Sequence, residues 1–212
     1  RIRADKARAL LGWAPKGDRE KYTLSELIEA FDLAGISKSP AIFDPEKLGW
    51  LNGEYLKEMD PEEFYKIAAP YIDGVIKTAA VDKREVAKLM QTRVQLLSEI
   101  PEQIDFFEAL PDYDIEMYTH KKMKTTAENS LASLQKVLPV LEGLDDWSMD
   151  AIHDALFDVI AELEVKNGVV LWPVRTALSG KQFTPGGGVE LAWLLGKEET
   201  LKRLRVGIEK LS

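Results

Sequence analysis

The sequence predicts an all-α chain. Three observations carry this reading. Two Asp-Pro pairs stand before helical runs, apolar residues recur at helical spacing, and no strand-length stretch alternates convincingly.

The elements follow in order. Thr23-Leu-Ser-Glu26 reads as a capping box, in which hydroxyl and carboxylate each satisfy an end N–H, opening a short helix through about Asp32. Asp44-Pro45 and Asp60-Pro61 each place a side-chain acceptor before a proline at the first helical position, where no N–H is needed. They predict helices over 45–58 and 61–72. Asp82 starts a longer helix to about Ser98, with Val86, Leu89, Met90, Val94 and Leu97 on one face. Residues 116–119 are the short stretch read as extended. Thr125 and Glu128 form a second capping box for a helix reaching Leu141. Ser148 caps a helix whose core face is Ala151, Ile152, Ala155, Leu156, Val159, Ile160 and Leu163, and Asn167-Gly168 stops it. Thr184-Pro185 opens the next helix, Gly196 closes it, and 197–210 is the last. Boundaries fall near Met59-Asp60-Pro61 and within the loop 110–119.

Composition narrows the function. A chain of 212 residues with 45% hydrophobic content can bury a core in one to three small domains. The absence of cysteine excludes disulfides, thiol catalysis and cysteine-ligated metals. His120 and His153 lie far apart, each without a second ligand at helical spacing, so no metal site is expected. No apolar run is long enough for a membrane span and no signal peptide is visible, so a cytoplasmic protein is expected. The first residue is Arg, which reads as an excised piece of a longer protein. Acidic pairs such as Glu62-Glu63 and Glu198-Glu199 suit the positive ends of helices rather than acid–base catalysis.

The formal charge of −8 argues against nucleic acid, but it is unevenly placed. Residues 165–212 carry eight Lys/Arg and four Glu, which leaves −12 on the remainder. A basic end can hold a phosphate backbone in a salt-sensitive way, or be a solvated face. The apolar stretch 166–180 holds one arginine, Arg175. Arg93, seven residues after Val86, falls on the apolar face of an ideal helix. Each reads either as a core-rim arginine or as a planar fork of donors aimed at a partner. Gly186-Gly-Gly188 is either an anion-holding helix start or a close-packing loop. The five tryptophans are core or stacking residues. Lys38 in Ile36-Ser-Lys-Ser-Pro40 and Lys121 in His120-Lys-Lys-Met-Lys124 mark loops suited to phosphate.

Three blocks, in order, resemble bacterial glutamyl-tRNA synthetases. The first is Ala9-Leu-Leu-Gly-Trp13, Phe31-Asp-Leu, Ser37-Lys-Ser-Pro-Ala-Ile-Phe-Asp44 and Lys47-Leu-Gly-Trp-Leu-Asn52. The second is Tyr118-Thr-His-Lys-Lys-Met-Lys-Thr125 with Val137-Leu-Pro-Val-Leu141. The third runs from Lys166 through Trp172-Pro-Val-Arg175 and Thr184-Pro-Gly186 to Leu194-Leu-Gly-Lys-Glu-Glu-Thr-Leu201. The HIGH-type and KMSKS-type signatures of the family's ATP site are absent; Lys121-Lys-Met-Lys124 only imitates the second.

The resemblance implies the tRNA-reading, C-terminal half of a class I synthetase. It divides into a stem-contact subdomain at 1–58 and two helical anticodon-binding subdomains at 59–124 and 125–212. It implies that Arg175, Thr184, Pro185 and Gly186 lie against anticodon bases, with Arg93 a candidate for the first base. Lys38, Lys121 and Lys181 complete the candidate tRNA-binding set. The expected partner is tRNA(Glu), mainly its anticodon stem-loop, with no DNA, no membrane and a monomeric chain. The chain alone is expected to be inactive and without cofactor; the full-length enzyme would use ATP and Mg²⁺ to attach glutamate. Two alternatives stay open: a parent that also charges tRNA(Gln), and a helical protein-interaction module with no RNA role.

Overall fold

The computed structural model describes Trp13, residues 24–36 and residues 44–212. Among these residues every named element is a helix, and β pairing is limited to two isolated bridges, Trp13–Ile36 and His120–Thr125. The all-α class therefore stands.

The chain divides into two compact units. The first comprises residues 1–59 with 94–96. Its described helices are α1 (Leu24–Ala30) and α2 (Pro45–Glu58). Asp44 caps α2 by accepting from the N–H groups of Glu46 and Lys47, as the Asp-Pro pair predicts. Asn52 donates to the carbonyl of Gln95, which ties the returning segment to α2. The Trp13 indole donates to the Asp32 carbonyl at 3.1 Å and its ring meets Phe31. Thr23, proposed to cap α1, lies outside the described residues, as does Lys38.

The second unit comprises 60–93 and 97–212. Its helices are α3 (Pro61–Val75), α4 (Lys83–Gln91), α5 (Ile100–Ile104), α6 (Ala127–Glu142), α7 (Met149–Glu162), α8 (Asn167–Ser179), α9 (Gly188–Leu195) and α10 (Lys197–Leu211). Asp60 and Asp82 cap α3 and α4 through their carboxylates. Phe64, Ala68 and Ile72 of α3 face Val86, Ala87 and Met90 of α4, all fully buried. Helices α6, α8 and α10 pack together and bury Leu134 and Val137 of α6, Val174, Ala177 and Leu178 of α8, and Leu204 of α10. At Gly207 a Cβ would come within 3.0 Å of the Ala177 Cβ, so the glycine is what permits the close approach of α10 and α8.

Six expectations change. Asn167-Gly168 does not end α7; it begins α8. The left-handed residue that ends α7 is Glu164, at φ 51°, with Val165 N–H closing on the Ile160 carbonyl at 3.3 Å. The segment carrying Arg175 is itself helical, despite Pro173. The capping box of α6 is Thr126 with Asn129, one residue later than expected. Helix α4 stops at Gln91, short of Ser98, and 115–118 forms a 3-10 turn rather than an extended segment. Helix α9 starts at Gly188, so Thr184-Pro185 belongs to the preceding turn.

Pro173 has no N–H, so the Val169 carbonyl four residues earlier lacks its helical donor. The Ser133 hydroxyl of α6 supplies one at 3.0 Å. Arg203 of α10 is the one fully buried charge among the described residues. It donates to the carbonyls of Phe106 (2.8 Å) and Leu178 (2.6 Å) and pairs with Glu199 at 2.7 Å.

Candidate nucleic-acid interface

Helix α8 carries Trp172 and Arg175 one turn apart. That spacing puts them on one face, and the Arg175 guanidinium lies over the Trp172 ring, 4.2 Å from its centroid. The ring is fixed in turn. Its indole N–H donates to the Met117 carbonyl at 2.9 Å, and the His120 ring packs against it at 4.0 Å.

The far end of Arg175 organises the turn that follows α8. Gly180, at φ 59°, ends the helix in the left-handed conformation that an absent side chain permits. The chain then folds back. Arg175 Nη2 donates to the Gln182 carbonyl at 2.9 Å and Nη1 to the Thr184 hydroxyl at 3.1 Å. The Thr184 hydroxyl in turn donates to the Gly186 carbonyl at 2.6 Å. Pro185 and Gly186 are buried beneath this turn, with Leu89 of α4 against Gly186.

Among the described residues Arg175 has no carboxylate partner. Half-buried, its pKa is drawn below the usual value by desolvation, with no acid to offset the effect. It remains charged at neutral pH, because an arginine has a wide margin. Two of its five N–H groups meet the turn, and the others have no protein acceptor among the described residues. The result is a cation held in place and left uncompensated. Such a group suits the phosphate or base edge of an RNA.

A second positive feature joins through His120. Residues 120 and 125 pair as an antiparallel bridge, with Lys124 turning at φ 59°. Lys121, Lys122 and Lys124 are exposed, and no carboxylate pairs with them among the described residues. Met123 packs against Gly168 at the start of α8. The lysine loop, His120, Trp172, Arg175 and the 182–186 turn are thus one chain of contacts.

The expected residues divide. Arg175, Thr184, Pro185 and Gly186 come together, and Lys121 joins them through His120 and Trp172. Lys181 instead pairs with Asp105 at 2.8 Å. Arg93 is not on the buried face of α4, because that helix ends before it. Exposed, it donates back to the Leu89 carbonyl at 2.9 Å and to the Thr92 hydroxyl. It stands one turn beyond the leucine that touches Gly186. The glycine run is a packing device: a Cβ on Gly188 would meet Val174 at 3.1 Å. Glu190 already accepts from Gly187 N–H at 3.0 Å, so a carboxylate fills the start of α9. Gln182 and Phe183 were not singled out in the sequence. The available signal was an aromatic residue in a polar turn between Gly180 and Pro185.

No group of three or more His, Cys, Asp or Glu gathers as a metal-binding set among the described residues, and none of their helices is long and apolar enough to cross a membrane.

Residues 54–208 match the family model described as the anticodon binding domain. The chain is 58% identical over 203 residues to the glutamate–tRNA ligase of Clostridium tetani, and 55% to that of Clostridium acetobutylicum. Each match covers 96% of this chain but only 41% and 42% of those proteins, so the chain spans about two-fifths of their length. The crystal structure of a glutamate tRNA ligase from Elizabethkingia meningosepticum, in complex with its amino acid, matches at a TM-score of 0.81 and 26% identity, over 98% of this chain and 40% of that one. The glutamate–tRNA synthetase of Elizabethkingia anophelis shares the fold at a TM-score of 0.76 and 24% identity, over 96% and 39%.

Proposed function

This chain belongs to the anticodon-binding domain family, and on that premise we propose that it reads the anticodon arm of tRNA(Glu) for a glutamate–tRNA ligase. The observation that carries the reading is the half-buried Arg175, stacked on Trp172, fixed to the 182–186 turn and lacking a carboxylate partner among the described residues. We assign Arg175 and Thr184 to the bases of the anticodon, with Pro185 and Gly186, buried beneath the turn, holding it against them. Lys121, with Lys122 and Lys124, supplies phosphate contacts, and Arg93 reaches a flanking nucleotide. Lys38 and Lys181 belong to the proposed set as phosphate contacts, Lys181 after exchanging Asp105 for phosphate. The corresponding division is a stem-contact part at 1–58 and anticodon-binding parts at 59–124 and 125–212.

Phosphate contacts give affinity and register, and base contacts give sequence preference. A bidentate arginine on the correct base edge discriminates by about 1–3 kcal/mol. In the longer protein, glutamate would be joined to tRNA with ATP and Mg²⁺. Neither ATP-site signature stands in this sequence, so no step through those groups is assigned to it. The chain acts in the cytoplasm as a monomer in this reading.

The test is binding to tRNA(Glu), tRNA(Gln) and an unrelated tRNA across a salt series. Preference for tRNA(Glu), abolished by changing its anticodon, is the expected result. Equal binding of the Glu and Gln tRNAs would indicate a parent that charges both. Weak binding without preference, lost at modest salt, would favour a protein-interaction module instead.

A further inference from the structure

We propose that Phe183 is a stacking platform for one unpaired base of the RNA that Arg175 holds. The inference rests on the tRNA reading above and adds a residue to it. At 81% exposure, Phe183 is the most exposed large apolar side chain among the described residues. Its position is nevertheless fixed. Arg175 bonds the carbonyl of the residue before it and the hydroxyl of the residue after it. Thr184 locks to Gly186 across the turn, and Pro185 is buried below. A ring held outward by a built turn differs from one on a fraying loop.

The surroundings indicate the occupant. Residues 180–188 contain no acid, and their one charge is Lys181. Arg175 presents unused donors at the turn that carries Phe183, bonding the residues on either side of it. An exposed aromatic on the turn that an uncompensated guanidinium holds offers both components that an unpaired base requires: a π-face to stack on and donors for its edge or phosphate. Stacking accepts any base, so Phe183 supplies affinity, and discrimination stays with Arg175.

The experiment uses the 212-residue chain and an RNA hairpin with the anticodon-arm sequence of tRNA(Glu), alongside the intact tRNA. Phe183→Ala should weaken binding about ten-fold, within the usual range for loss of one base stack, with an unchanged melting temperature. Phe183→Tyr should bind like the parent, and Phe183→Leu should not restore binding. The Phe183→Ala penalty should vanish when one anticodon position is made abasic and persist when the others are. Full binding by Phe183→Ala or Phe183→Leu, with Arg175→Ala still impaired, would overturn the stacking role and leave the tRNA reading intact. A penalty unaffected by any abasic site would also overturn it. A parent chain that binds neither the hairpin nor the tRNA would overturn both. Unchanged RNA binding together with altered self-association in the Phe183 variants would make the ring a protein contact instead.

Discussion

Arg203 donates a hydrogen bond to the carbonyl of Leu178, in the last turn of the helix that carries Arg175. The last carbonyls of a helix have no internal donor and carry the negative end of its dipole. A buried guanidinium answers both, and a second carbonyl, that of Phe106, is met from the same nitrogen. The deeply buried arginine of this chain is thus an architectural one, and it secures the end of the helix on which the exposed-edge arginine sits.

Replacing Arg203 by methionine keeps much of the volume and removes the donors. The Leu178 and Phe106 carbonyls then lose their partner, and the expected cost is about 2–4 kcal/mol in urea unfolding at neutral pH. An unchanged midpoint would mean that side-chain packing, rather than these bonds, holds the site.

Acid should act through the same residue. Burial raises the Glu199 pKa, but hydrogen bonds from Arg203 and Lys202 outweigh it and leave the carboxylate below its ordinary 4.5. A depressed folded pKa means that this stabilisation is complete above 4.5 and is lost as pH falls through the lower folded value. Glu199→Gln should be less stable at neutral pH and show a flatter decline in unfolding midpoint below that point. A parallel decline in both proteins would remove Glu199 from the acid response.

Glu164→Gly should stabilise the chain. Glu164 takes the left-handed conformation at the end of α7, which costs an L-residue about 1–2 kcal/mol. Glycine relieves this but loses more chain entropy on folding, so a net gain of about 0.5–1 kcal/mol is expected. Thermal melting decides it, and a lowered melting temperature would contradict the account.

Arg175→Lys tests geometry apart from charge. A lysine keeps the cation but cannot reach the Gln182 carbonyl and the Thr184 hydroxyl together from a planar fork. Its affinity for tRNA should fall about ten-fold or more, within the reach of one bidentate contact, while the salt dependence stays close to that of the parent. A variant that binds as well as the parent would reduce Arg175 to a point charge.

Local chemistry was legible where a side chain acts on its own backbone. Asp44, Asp60, Asp82 and Ser148 cap the helices that their positions announce. Positions that depend on distant partners were not legible. Asn167-Gly168 is a conventional stop signal, yet Glu164 takes the left-handed turn three residues sooner, and tertiary packing lets α8 begin at the supposed stop. Pro173 stands inside α8, and the hydroxyl that satisfies the carbonyl it frees comes from Ser133, far away in sequence. Arg175 stood out because its neighbours are apolar. Arg203, surrounded by Lys202 and Arg205, gave no such contrast and is the more deeply buried. Arg93 was placed by extending α4 past its actual end.

The Ser133–Val169 bond works as a key in a slot. In the first turn of α8 a single oxygen, left over by Pro173, awaits a donor from outside. Sliding or turning α8 by one residue would bring Ser133 to a carbonyl already engaged and strand the one that is not. The helix therefore has one seating, which fixes its bearing about its own axis as well as its height. Trp172 and Arg175 flank the proline, so their aim is set by an uncharged serine and an imino acid that need never meet the RNA.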